Sequence, residues 1–240
     1  MPKKPSNARR FINAYNEIDY SLRAQYNFKR SMSFSDLIRK AVVVNHIVRK
    51  YEDCLVDYGR LRNAIIHRSS DEFIIAEPHD DVTLKIEKIA RLVTTPPTAL
   101  SVCNEDVLTV DHDVSLENVI RLMAEYSYSN LPVYNNGLLI GIANGQKILE
   151  NLGEQILKNC NVNDYLKNTK IEDALINASP YRQYEVLPAS ATIEQVLDLY
   201  YKNRKLLAVL ITKEGTMNEP PLGILTTTSV MEMNNIIENF

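Results

Sequence analysis

Leu131-Pro132-Val133-Tyr134 with Leu139-Ile140-Gly141-Ile142, and Leu207-Ala208-Val209-Leu210 with Leu222-Gly223-Ile224-Leu225, are the stretches that decide the fold of this chain. Each run is apolar, too short for a helix and rich in aliphatic residues, which reads as buried strand. Asn136-Gly137 stands between the first two runs and Glu214-Gly215 between the second two, so each pair closes as a hairpin. Upstream, Val107-Leu108 precedes Asp113-Val114-Ser115-Leu116, and Val186-Leu187 precedes Ala191-Thr192-Ile193. In both places a short strand is followed by a Ser or Thr that can cap an amphipathic helix. A strand-helix-strand-strand-helix unit therefore occurs twice.

This duplication, from about Thr98 to Phe240, resembles the CBS domain pair, or Bateman module. Ser129-Asn130-Leu131-Pro132-Val133 matches the strand entry of that family, and both copies keep a Gly before the last strand. The resemblance implies clefts between paired copies that take adenine nucleotides or related ligands. In that family a Gly-x-x-Thr-x-x-Asp segment grips ribose and phosphate. Here the first copy reads Gly141-Ile-Ala-Asn144-Gly-Gln-Lys147 and the second Gly223-Ile-Leu-Thr226-Thr-Thr-Ser229, so neither has the ribose carboxylate. Lys147 only donates and Ser229 bonds weakly, whereas a carboxylate accepts two hydroxyls. The implied nucleotide-binding set is Ser129, Asn130, Leu131, Pro132, Asn144, Lys147, Leu207, Ala208, Thr226 and Ser229. Lys147 favours a phosphate-rich ligand, a regulatory adenine nucleotide or a cyclic dinucleotide. Ala208 stands where the first copy has Pro132.

Before the repeats the apolar spacing is helical. Phe11, Tyr15, Ile18 and Leu22 mark one amphipathic helix, and Ser33 caps a second that carries Phe34, Leu37, Ile38 and Ala41. Ile47, Tyr51, Cys54, Tyr58, Leu61 and Ile65 keep a single stripe, which predicts one long helix ended by Ser69-Ser70-Asp71. After a strap at Ile74-Ile75-Ala76-Glu77-Pro78, a fourth helix carries Val82, Ile86, Ile89, Ala90 and Val93. Pro96-Pro97 stops it, since each Pro removes a donor and disfavours helix in the residue before. The expected fold class is α+β: an all-helical bundle over residues 1–97, then a tandem β-α-β-β-α pair over 98–240.

The long helix ends in Arg60-Leu-Arg-Asn-Ala-Ile-Ile-His-Arg68. Arg62-Asn63-x-x-x-His67 resembles the Arg-polar-x-His signature of HEPN domains, helical and usually dimeric modules that are often ribonucleases. Metal-free RNA cleavage needs a base near neutral pKa, which His67 is by type, and a fixed cation for the phosphate, which Arg62 supplies. Asn63 and His67 share a helix face, while Arg62 and His67 lie roughly 140° apart on an ideal helix, so the helix must loosen there. The structural alternative sets His67 against the helix dipole and Arg62 on a surface carboxylate.

Composition narrows the partners. With 45% hydrophobic and 24% charged residues, 240 residues support one or two cores. A net charge of −3 argues against a generally basic nucleic-acid surface, so contact with single-stranded RNA must be local. Cys54, Cys103 and Cys160 are scattered, with neither a disulfide framework nor a metal site implied. No signal peptide or membrane span is read, which points to a cytoplasmic protein, and no cofactor is expected to be required. Two functions fit: a homodimeric, ligand-regulated, metal-independent endoribonuclease, or a non-catalytic nucleotide sensor or dimeric scaffold. Composition and spacing leave both open.

Overall fold

The computed structural model describes residues 5–66, 76–103, 106–176 and 183–240. His67, the expected helix break at Ser69-Ser70-Asp71 and Ile74-Ile75 of the strap lie outside those residues. The chain divides into two compact units, one of residues 1–97 with 193–198 and 235–240, the other of 98–192 with 199–234.

The first unit is helical. α1 (Asn7–Tyr26) starts where Ser6 accepts the N–H of Arg9 and ends at Asn27, whose φ of 52° suits a left-handed cap. Its buried stripe includes Phe11, Tyr15, Ile18 and Leu22, the spacing read from the sequence. α2 (Phe34–Ala41) is capped by Ser33 as expected, and buries Leu37, Ile38 and Ala41. The long helix anticipated from Ile47 onward is two helices, α3 (His46–Lys50) and α4 (Glu52–Ile66), because Tyr51 leaves helical geometry at φ −112°, ψ 18°. The stripe continues across the break, so apolar spacing alone does not reveal it. Within α4 the buried residues are Leu55, Tyr58, Gly59 and Ile65, not Cys54 and Leu61. α5 (Asp80–Thr94) packs on α1, burying Ile86, Ile89, Ala90, Leu92 and Val93. Arg10 grips Glu87 there through Nε and Nη2, at 2.8 and 2.6 Å. Residues 193–198 add Glu194, whose Oε1 accepts the His46 N–H at 2.8 Å, and Asp198, whose Oδ1 lies 3.0 Å from Arg49 Nη2.

The second unit holds the first repeat and most of the second, whose two helices place residues 193–198 and 235–240 in the first unit. In the first, β1 is Val110–Asp111, a few residues later than Val107-Leu108. It is followed by α6 (Leu116–Tyr126), β2 (Asn130–Asn135), β3 (Leu138–Asn144) and α7 (Gly145–Leu157). β2 runs parallel to β1 and antiparallel to β3, with Asn130 opposite Asn144. Two short helices that the sequence reading missed come next, α8 (Val162–Asn168) and α9 (Ile171–Ile176). α9 is tied to the first repeat by Ile171 N–H to Val114 O and by His112 Nδ1 with Glu172 Oε2, both 2.9 Å. The second repeat is β4 (Tyr184–Pro188), α10 (Ile193–Lys202), β5 (Ala208–Thr212), β6 (Gly223–Thr226) and α11 (Ser229–Asn239). Its sheet has the same order, β4 parallel to β5 and β5 antiparallel to β6. The sheets meet through a buried cluster of Tyr134, Leu139, Ile142, Ala208 and Leu210. The fold is α+β, a helical region followed by a duplicated β/α unit. No helix among the described residues is long and apolar enough to cross a membrane.

Candidate ligand cleft

Where the two repeats pack, the chain leaves a cavity of about 270 Å³. Three segments wall it. Asp106, Val107 and Leu108 lead toward β1, Ser127 to Asn130 join α6 to β2, and Ile224 with Thr226 to Ser229 join β6 to α11. Local chemistry puts each hydroxyl there. Ser127 takes φ 56° to end α6, which turns the chain so that the Tyr128 N–H reaches Met123 O at 3.0 Å. At the start of α11, Thr226 N–H donates to Ser229 Oγ at 3.2 Å, and the Thr226 and Thr228 hydroxyls share a 2.8 Å hydrogen bond. Ser229 thus spends acceptor capacity on the backbone and keeps its own proton to donate.

Of the implied binding residues, Ser129, Asn130, Thr226 and Ser229 line this cavity. The others sit elsewhere. Leu131 and Ala208 are buried core residues, and Pro132 is buried within β2. Leu207, half-buried, donates its N–H to Gln183 O at 2.7 Å. Asn144 caps α7 by accepting the Lys147 N–H at 3.1 Å and gives its Nδ2 to Asn130 Oδ1 at 2.8 Å. Lys147 reaches outward to Glu150 Oε2 at 2.7 Å, and that contact holds the Glu150 carboxyl below its ordinary value.

Asp106 was missed. The Gly-x-x-Thr-x-x-Asp spacing does not point to it, because Asp106 lines the cavity from ahead of β1 in the first repeat. Only the pairing of the repeats makes it a candidate.

In the helical unit, Arg62 and Asn63 lie toward the C-terminal end of α4. The Arg62 guanidinium carbon lies 5.8 Å from the centre of the Tyr15 ring, within cation–π range. Its Nε is buried without a hydrogen-bond partner among the described residues, and its Nη1 meets Asn63 Oδ1 at 3.4 Å. No carboxylate among the described residues pairs with it, unlike the surface ion pair that a purely structural role would give. Burial pushes the Tyr15 phenol up to about 12. No group of three or more metal-binding side chains gathers among the described residues.

Comparison with known proteins bears on the repeats. A family model matches residues 99–154, the first repeat. That model is the CBS domain. No curated protein matches the sequence. Among solved structures, the chain is similar to a CBS domain-containing protein of unknown function from Kribbella flavida, at 14% identity and TM-score 0.46, covering 58% of this chain and 99% of that one. It is also similar to the CBS domain of a membrane protein from Sphaerobacter thermophilus, at 17% identity and TM-score 0.44, over 57% and 88%. A third is the CBS domain of a bacterial CNNM/CorC family Mg2+ transporter in complex with ATP, at 20% identity and TM-score 0.44, over 62% and 92%.

Proposed function

We propose that this protein is a sensor of a small adenine nucleoside or nucleotide, bound in the cleft between its two CBS-like repeats. The observation that carries the reading is the cavity of about 270 Å³ built from both repeats, with apolar walls at Val107, Leu108 and Ile224 for a flat ring and a rim of hydroxyls for a sugar. Such a mixture of apolar wall and a few convergent polar groups is what small-ligand sites present. The CBS domain match over residues 99–154 supports the same ligand class. Calorimetry of the full chain against adenosine, AMP and ATP tests it. Binding of at least one, with a rise in melting temperature, is expected, and no heat from any of them would remove the reading.

The sensor is a homodimer in this reading. α6 and α7 expose an apolar groove of about 440 Å³ lined by Ile120, Met123, Ile148, Leu149 and Leu152, with Ile156 and Leu157 also exposed. Apolar surface of that kind on a soluble chain is commonly an interaction face.

A second reading, the metal-independent ribonuclease, is favoured by one observation: the Arg62 cation, with no carboxylate partner among the described residues, is available to an external anion. It predicts cleavage of single-stranded RNA in the presence of chelator, leaving a cyclic phosphate, and loss of that activity in Arg62→Ala and His67→Ala. Equal cleavage by wild type and both variants would assign the activity to a contaminant.

A further inference from the structure

Charge in the cavity narrows the ligand class just proposed. Among the described residues that line it, Asp106 alone is charged at neutral pH, and it is an acid. The polar remainder is neutral, chiefly the hydroxyls of Ser127, Ser129, Thr226, Thr227, Thr228 and Ser229. Lys147, the cation that the sequence offered to a phosphate, is not part of this lining and pairs with Glu150. A phosphate monoester carries a charge of about −1.5 to −2 near pH 7 and is held elsewhere by Arg, Lys or a metal ion. Brought here, it would meet the exposed Asp106 carboxylate and find no cation among the described residues that line the cavity.

A ribose meets the opposite situation. Each serine or threonine hydroxyl can donate and accept, and Asp106 offers acceptor oxygens of the kind that two vicinal hydroxyls need. Ser229, whose oxygen already accepts the Thr226 N–H, complements Asp106 by donating. Volume agrees with charge. About 270 Å³ falls just under the range of about 300 to 1,000 Å³ usual for small-ligand sites, which suits a small member of the class.

Resting on the sensor reading above, we infer that the cleft selects an unphosphorylated nucleoside over its phosphorylated forms, with Asp106 as the discriminating group. The carboxylate takes the ribose hydroxyls and repels phosphate. A nucleoside is chemically the product of a phosphatase or of a hydrolase acting on a nucleoside thioether, so the signal read is release of nucleoside, not the charge state of the triphosphate pool.

The test is calorimetry on the full chain with adenosine, AMP and ATP at one low ionic strength, repeated on Asp106→Asn. Adenosine should bind, with AMP weaker by about tenfold or more and ATP weaker again. In Asp106→Asn the gap between adenosine and AMP should shrink to about threefold or less, since repulsion goes and the amide still accepts one hydroxyl. AMP or ATP binding as tightly as adenosine would overturn this selectivity and leave the sensor reading standing. Silence from all ligands would overturn both. An unchanged gap in Asp106→Asn would overturn the role of Asp106.

Discussion

Thr226 gives its backbone N–H to Ser229 Oγ across 3.2 Å, so this hydroxyl first closes the turn that leads from β6 into α11. Ser229→Ala leaves the Thr226 N–H without that acceptor. The expected cost is about 0.5 to 1.5 kcal/mol in urea unfolding, together with weaker adenosine binding. Ser229→Thr should restore stability. A variant as stable as wild type would show that the bond contributes nothing to the fold.

Arg49 supports the helical unit at several points. Its Nε donates to Val42 O at 3.0 Å, and its Nη2 reaches Val43 O at 3.2 Å and Asp198 Oδ1 at 3.0 Å. The pair is well shielded, with side chains 18% and 11% exposed. Arg49→Leu removes the guanidinium from beside the Asp198 carboxylate and the donors from two carbonyls, and should cost about 1 to 3 kcal/mol by denaturant unfolding. Arg49→Leu combined with Asp198→Leu should recover part of this. A loss below about 0.5 kcal/mol would mean that water replaces the contacts freely.

Gly215 is a steric requirement. Its φ is 84°, and a Cβ there would stand 2.9 Å from the Pro188 nitrogen, which belongs to backbone and cannot swing aside. Gly215→Ala should destabilise by at least about 1 to 2 kcal/mol, read as a lower melting temperature. Gly137, at φ 80° with open space around it, pays the backbone term alone and should lose less.

Acid acts on the loop after β5. Glu219 is pulled down to about 2, first by the Glu214 N–H and also by Thr212 and Thr216. Its folded pKa lies below the ordinary 4.5, so the stability it gives is present in full above 4.5 and disappears as pH falls toward 2. The melting difference between wild type and Glu219→Gln should be flat near neutrality and vanish through that acid window. A difference that persists at pH 2 would trace to packing instead of charge.

For the dimer, Leu149→Glu puts a carboxylate into the apolar groove between α6 and α7. Light scattering at micromolar concentration should fall from twice the chain mass to once. Wild type already at one chain mass would end the proposal.

Legibility in the sequence followed the range of the interactions. Ser33, Ser115 and the turns at Asn136-Gly137 and Glu214-Gly215 act on their own neighbours, and they stand where local chemistry puts them. The break at Tyr51 was hidden because the apolar stripe runs through it. β1 was placed at Val107-Leu108 because that dipeptide is apolar, yet pairing with β2 begins at Val110, opposite Val133. Four of the ten implied binding residues share the cavity, while Leu131 and Ala208 are spent on the core. Asp106 was invisible because the cavity it lines is completed only by Ile224 and Thr226 to Ser229 of the other repeat.

That cavity is walled by residues from 106–130 and 224–229, which only long-range pairing of the repeats brings together. Such contacts close large loops and form late in folding. A nascent first repeat, however well folded, carries only part of the cavity lining. If the cavity binds the proposed ligand, it can do so only after residues 224–229 have been made, and each bound molecule then holds the two repeats to one another.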